Sequence, residues 1–279
     1  MKTKIKFLIT LLKCYKVLTP FFKYYFLYKL SKKQQIETLN QVKNNSSIEE
    51  KDLFINEKSL KHYKEKGYWE LVPKINIESL NSYYSNSYWQ EFRSGNISYT
   101  VNPRDVDHYN MIINKNKNFN RTKKTIVNFG SGHLGISFLF YYMGHNIINV
   151  DLHTPDLKIK SSNFLFKKSL DFIDSKVDLF YSSHSLEHVH DLNYFEKKLN
   201  PILNDGGLLF FEVPNSETIN FNNGGISGEI IIPHTYYFTK KYFFKLPFKK
   251  QILNSFSSSS YPNKKNNDGD VLRYLAQKV

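Results

Sequence analysis

Short apolar runs separated by turn residues organise the second half of the chain. Ile126-Val127-Asn128-Phe129 leads into Gly130, Gly132 and Gly135, then an apolar segment of helical length, Ile136 to Met143, then Ile147-Ile148-Asn149-Val150 and Asp151. This predicts a strand, a glycine turn, a helix and a second strand closed by a carboxylate. Asn163 to Phe166 and Val177 to Ser183 predict two more strands. Apolar residues recur at helical spacing from Leu186 to Leu199. Gly206-Gly207 turns into a strand from Leu208 to Val213, stopped by Pro214-Asn215. Two closing strands are expected near Gln251–Phe256 and Val271–Ala276. Strands alternating with helices predict an α/β domain with a mostly parallel sheet covered on both faces.

The pattern upstream is different. Residues 34–58 are polar, and residues 59–93 carry Trp69, Trp89, Tyr63, Tyr68, Tyr83, Tyr84 and Tyr88. Aromatics this dense pack against something, either the main domain or a flat ligand. Asn102-Pro103-Arg104-Asp105 reads as a helix start, followed by a short helix over Val106–Ile113. The polar stretch Asn114–Lys124 reads as a linker. These features predict a helical, aromatic-rich accessory or cap region over 34–120, an N-terminal helical extension to a main domain over 121–279.

Residues 1–33 alternate lysines with apolar and aromatic residues. The longest uncharged run, Phe7 to Leu12, is too short to span a bilayer. On a helix, Lys2, Lys6, Lys13 and Lys16 share one face, with Phe7, Leu8, Leu11, Leu12, Tyr15 and Leu18 away from it, until Pro20 interrupts. Such a tail suits an anionic membrane surface or packing on the protein's own core. The net charge of +14 sits largely here: the first 33 residues hold nine lysines and no acid, and the remainder has 30 basic against 25 acidic residues. The body is only mildly basic, which argues against a nucleic-acid partner. The single cysteine, Cys14, excludes an internal disulfide and a Cys-rich zinc site. A cytoplasmic setting fits, with residues 1–30 touching the inner face of the membrane.

The glycine turn carries the chemistry. Glycines allow positive φ and close approach of a ligand to the backbone. Asp151, about 20 residues after the first glycine, suits ribose hydroxyls. The spacing Gly130-x-Gly132-x-x-Gly135 matches a dinucleotide fingerprint, so a nucleoside-bearing cofactor is expected, its identity open at this point.

The stretch VDLFYSSHSLEHVHDL…LNDGGLLFFEVPN and the later IIPHTYYFTKKYFFKL resemble class I S-adenosylmethionine-dependent methyltransferases of the type 11/23 kind. The likeness is to the small-molecule branch that includes ubiquinone-type, sugar and natural-product enzymes. It covers roughly residues 121–250. The resemblance implies a Rossmann-like, doubly wound, mostly parallel seven-stranded sheet and S-adenosylmethionine as cofactor. It implies Gly130, Ser131 and Gly132 under the methionine and ribose, Asp151 on the ribose hydroxyls, Asp171 near the adenine, and Ser183 and His184 where substrate and methyl group meet. Two positions depart from the family. Asn128 stands where an acid is common, and Leu134 stands where a third glycine is usual.

A hydroxyl acceptor benefits from a base, and His184, at a strand's carboxyl end, is the first candidate. His234, after a glycine-rich segment (Gly224, Gly225, Gly228), is the second. His188 and His190 are expected on the following helix. The acceptor is expected to be a small molecule, a saccharide or surface-glycan precursor being favoured. Two alternatives compete: an NAD(P)-dependent oxidoreductase, in which Tyr236-x-x-x-Lys240 mimics a dehydrogenase pair, and a non-catalytic protein of methyltransferase type. His184-x-x-Glu187-His188 spells a zinc-peptidase motif, but that motif belongs on one helix, and no metal is expected.

Overall fold

The computed structural model describes residues 59–84, 101–153, 161–218, 234–258 and 269–279. The expectations for the tail 1–33, for Trp89 and for the glycine-rich segment at 224–228 lie outside the described residues.

The chain enters as a hairpin. Strands β1 (Ser59–Tyr63) and β2 (Tyr68–Val72) pair antiparallel. Their turn needs Gly67: its φ is +81°, and a Cβ there would meet the Tyr242 backbone nitrogen at 2.4 Å. Helix α1 (Ile77–Ser82) starts at Asn76, whose side chain accepts from the Glu78 and Ser79 amides. Helix α2 (Pro103–Lys115) starts in a capping box between Asn102 and Asp105, with Pro103 in the first turn where its missing N–H costs nothing.

The main sheet follows: β3 (Thr125–Phe129), helix α3 (Gly135–Tyr142), β4 (Asn146–Val150), β5 (Phe164–Lys167), β6 (Val177–Ser183), helix α4 (Leu192–Ile202) and β7 (Leu203–Pro214). Then come β8 (Tyr236–Phe238), helix α5 (Lys240–Phe244), β9 (Lys250–Ser258) and β10 (Val271–Lys278). Seven strands lie in the order β5-β4-β3-β6-β7-β10-β9. The first five are parallel, and β10 runs antiparallel to both its neighbours. This is the expected seven-stranded, mostly parallel, Rossmann-like sheet.

Alternation along the strands builds two cores. Ile126, Ile147, Leu179 and Phe210 face one side, where they meet Ile112 of α2 and Ile136 and Phe140 of α3. Val127, Ile148, Phe180 and Phe211 face the other, with Leu192, Phe195 and Leu199 of α4 and Phe243 of α5. Each such buried side chain contributes roughly 1.5–3 kcal/mol.

Three expectations are corrected. The accessory region is not helical throughout, because residues 59–72 are strands. They pair with each other, but the second edge of β2 is held by β8, about 170 positions away, and the aromatic run Tyr68-Trp69 suits a strand once that edge exists. The boundary near residue 120 divides a packed layer, since Ile112 and Phe119 lie in one core with β3 and β4. The single helix expected over 186–199 is a short 3-10 turn at Leu186–His188 and then α4, started by Asp191, whose side chain accepts from the Asn193 and Tyr194 amides. His188 and His190 therefore precede the helix.

Candidate active site

The strand order turns back between β3 and β6, and in open α/β sheets ligands bind at the carboxyl ends of such strands. Here β3 runs into Gly130–Leu134, β4 into Asp151 and β6 into His184. Gly130 and Gly132 have φ of +68° and +47°. The Gly130 N–H donates to the Val150 carbonyl at 2.8 Å, fastening the turn to β4. The Ser185 hydroxyl lies 3.3 Å from the Gly130 carbonyl oxygen, and a Cβ on Gly130 would come within 1.8 Å of it. Only glycine lets these two loops meet.

Asp151 accepts the Gly132 N–H on Oδ2 and the His153 N–H on Oδ1, both at 3.0 Å. The first bond pins the carboxylate to the glycine loop, and a carboxylate accepts up to about four hydrogen bonds in all. Ser131 is buried, and its hydroxyl has no hydrogen-bond partner among the described residues. A positive-φ loop, a buried unsatisfied hydroxyl and a carboxylate fixed beside them fit the nucleoside end of S-adenosylmethionine.

The two departures from the family pattern have structural explanations. Asn128 is buried beneath the loop. Its Nδ2 donates to Ser137 Oγ (2.8 Å), Ser137 donates to Asn149 Oδ1 (2.6 Å), and Asn149 donates to the Leu165 carbonyl (3.2 Å). This relay ties β3, α3, β4 and β5 together, so Asn128 serves the frame of the loop. Leu134 keeps the left-handed conformation that a glycine would take, at φ +62°, and is fully buried beside Ile136 and Phe140. The backbone cost of about 1–2 kcal/mol is offset by burying a leucine side chain, worth about 1.5–3 kcal/mol.

Around the end of β6 the structure gathers charged groups that sequence reading missed. Glu212, fully buried on β7, takes Arg273 Nε at 2.6 Å and His108 Nε2 at 2.8 Å on one oxygen, and the Ser183 hydroxyl at 3.0 Å on the other. The Arg104 guanidinium stands 3.6 Å away. Burial opposes the charge on Glu212, but His108, His184 and Arg273 overcome it and hold its carboxyl well below the usual range. Burial lowers His108, so its neutral ring donates to Glu212 and accepts from the Tyr181 hydroxyl at 2.7 Å. A lone carboxylate inside the apolar run Leu208–Val213 was the one signal for Glu212. Its partners on α2 and β10 left none.

His184 has φ +50°, with Nδ1 at 3.4 Å from Glu187 and Nε2 at 3.4 Å from Glu212. Burial alone would lower this imidazole, but Glu187 and Glu212 outweigh it and raise it to about 9. Both carboxylates favour the protonated ring, which makes His184 a poorer proton acceptor than a free imidazole and weighs against the general-base expectation. His234 is buried beside His188, and burial with that neighbour lowers it to about 3. Its ring is neutral and a weak proton acceptor, which also argues against the base role.

Other expected residues fall differently. The Ser183 hydroxyl is engaged by Glu212, so it serves the charged cluster. Asp171 follows β5 in a 3-10 turn. Its exposed carboxylate is bound by Lys198, Tyr194 and Ser169, and Lys198 above all lowers it. Ser169 is two positions back, but Tyr194 and Lys198 lie on α4, 23 and 27 positions on, too far along the chain to be read locally. The dehydrogenase-like pair is not assembled: the Tyr236 hydroxyl accepts from Lys74 and donates to the His190 carbonyl, while Lys240 stands near Glu217.

Residues 107–261, more than half of the chain, match the family model described as a methyltransferase domain. No curated protein matches. Among solved structures, the chain is similar to the N-methyltransferase NodS from Bradyrhizobium japonicum WM9 in complex with S-adenosylhomocysteine (11% identity, 72% of this chain and 97% of that one, TM-score 0.48). It is also similar to the 1,6-didemethyltoxoflavin-N1-methyltransferase of Burkholderia thailandensis (14%, 78% and 98%, TM-score 0.46). A third is an S-adenosylmethionine-dependent methyltransferase from Mesorhizobium loti (14%, 56% and 91%, TM-score 0.41). On the family match, with the glycine loop and Asp151 assembled at the carboxyl edge of the sheet, the chain belongs to the methyltransferase-domain family and is an S-adenosylmethionine-dependent methyltransferase.

Proposed function

We propose that this enzyme methylates a hydroxyl group of a small molecule, a saccharide or surface-glycan precursor. One observation supports the reading best: Ser185 locks the loop after β6 onto the Gly130 turn. This puts His184, with Glu187 beside it, next to the loop that would hold the cofactor. A polyhydroxylated acceptor would find polar groups of both kinds there, an imidazole and carboxylates.

The cofactor, when bound, supplies the electrophilic methyl group, and the protein's task is position and water exclusion. Gly130, Ser131 and Gly132 would hold its amino-acid and ribose portions through the loop backbone, and Asp151 would take its ribose hydroxyls. His184 would hydrogen-bond the acceptor oxygen, whose proton would leave to water or to the neutral fraction of that ring as the methyl group arrives, and Glu212 would keep the ring in place from behind.

The experiment is transfer of a labelled methyl group from S-adenosylmethionine into a fractionated cell extract. Label in the nucleotide-sugar or glycan fraction is expected. Label confined to protein or nucleic acid would overturn the acceptor class. His184→Ala is expected to cut turnover by at least tenfold while S-adenosylhomocysteine affinity stays within about threefold. We further propose that residues 1–30 hold the enzyme at an anionic membrane surface. A chain lacking them that distributes between soluble and membrane fractions as the full chain does would dispose of that idea.

A further inference from the structure

Two residues of the discarded peptidase motif find another partner. The motif would need His184 and His188 on one helix, but His184 ends a strand and His188 lies in a 3-10 turn. Glu187 and His188 instead meet His234, 46 positions on, and one ligand atom from each of the three lies within 4.8 Å of the others. The backbone enforces this meeting: the Thr235 N–H donates to the Glu187 carbonyl at 2.8 Å. We propose that Glu187, His188 and His234 form a binding site for a divalent first-row transition-metal cation.

Several independent features support the site. Glu187 is 1% exposed, and neither carboxylate oxygen has a hydrogen-bond partner among the described residues. Its nearest counter-charge is His184, whose Nδ1 stands 3.4 Å from one oxygen, and a cation between Glu187, His188 and His234 would supply the direct ligation that both carboxylate oxygens lack. The His188 ring is oriented for ligation. Its Nδ1 shares a 2.7 Å hydrogen bond with the Tyr84 hydroxyl, and its Nε2 points toward Glu187 at 3.9 Å. Ligating histidines characteristically engage their other nitrogen in this way. The spacing is slightly open. Bonds of about 2.0–2.2 Å require donors roughly 3–3.5 Å apart, which small side-chain rotations supply.

The donor set decides the metal class. Two imidazoles and one carboxylate favour manganese, iron, cobalt, nickel or zinc over magnesium or calcium, which prefer all-oxygen sites. Three protein donors leave coordination positions open, the arrangement of sites that bind and orient a substrate oxygen. The site stands on its own residues and does not depend on the identity of the acceptor.

The test is a cobalt titration of the full-length, chelator-stripped protein, read by visible d–d absorption. One cobalt ion per chain is expected, displaced by zinc and not by a large excess of magnesium. Glu187→Gln and His234→Ala, each checked for native melting, should each weaken binding by more than tenfold. Tyr84→Phe should weaken it less. If His234→Ala fails to fold, His188→Gln replaces it. Absence of cobalt bands in the wild-type chain, or bands that survive Glu187→Gln and either histidine variant, would overturn the site. S-adenosylhomocysteine calorimetry on the stripped protein reads the methyltransferase pocket separately, so the two ideas fail independently.

Discussion

The Ser185 hydroxyl sits 3.3 Å from the carbonyl oxygen of Gly130, and the α-carbon of that glycine has no room for a methyl group. Gly130→Ala should therefore push the cofactor turn away from the end of β6. S-adenosylhomocysteine affinity should fall at least tenfold, measured by calorimetry. The double variant Gly130→Ala with Ser185→Gly removes the atoms in the way and should recover part of the loss, with the strain of φ +68° remaining at about 1–2 kcal/mol. No recovery would show that the clash is not the cause.

Asp151→Asn keeps the size of the side chain but loses the charge and one acceptor. A hydrogen bond to a charged group is worth about 1.5–3 kcal/mol, so S-adenosylhomocysteine should bind about 10- to 100-fold more weakly. The melting temperature should hardly change, because the Gly132 and His153 amides can share the remaining oxygen. An unchanged dissociation constant would remove Asp151 from the ribose site.

Leu134→Gly restores the residue that the backbone geometry favours and empties a filled core position. Cavity costs for buried leucines run to about 2–5 kcal/mol, against a strain relief of about 1–2 kcal/mol. Stability to urea should drop by about 1–3 kcal/mol. A more stable variant would mean that the strain outweighs the packing.

Glu212 and Arg273 form a buried ion pair at 2.6 Å. Glu212→Gln leaves the guanidinium without its closest counter-charge, which typically costs about 3–5 kcal/mol. Adding Arg273→Met should recover most of that loss. The coupling is read from a double-mutant cycle of denaturation free energies, and additivity of the two changes would refute it.

His145 gives the fold an acid limit. It accepts from the Lys124 amide and donates to the Asn120 side-chain oxygen, against Phe119 and Phe140. Burial first, and then the Lys124 ammonium, lower it from 6.5 to about 4. The unfolded chain therefore binds the proton more readily. The contribution is complete above pH 6.5 and is lost as the pH falls toward 4, on the order of 2–3 kcal/mol. Denaturation at several pH values should show this slope, and His145→Asn should flatten it.

The sheet and its cofactor turn were legible because both are local. Val127 and Phe129 alternate in period with Asn128, and glycines mark positive φ within a few positions. What stayed hidden was long-range. Asp171 reads as a rim residue until Lys198 and Tyr194 are seen to bind it. His184 reads as a base until Glu187 and Glu212 are placed around it. Glu212 itself is one letter in an apolar strand, and its partners His108 and Arg273 lie about 104 and 61 positions away. Such distances carry no period for a sequence to display.

The pairing of β2 with β8 has a practical consequence. The shortest chain that keeps the site whole is set by neither the glycine turn nor the family match, but by the hairpin at Ser59. A chain begun at residue 100 would leave the edge of β8 bare and remove the Tyr84 hydroxyl that orients His188. The hairpin that precedes the matched domain and a strand inside that domain thus make one small sheet, and a cut between them divides it.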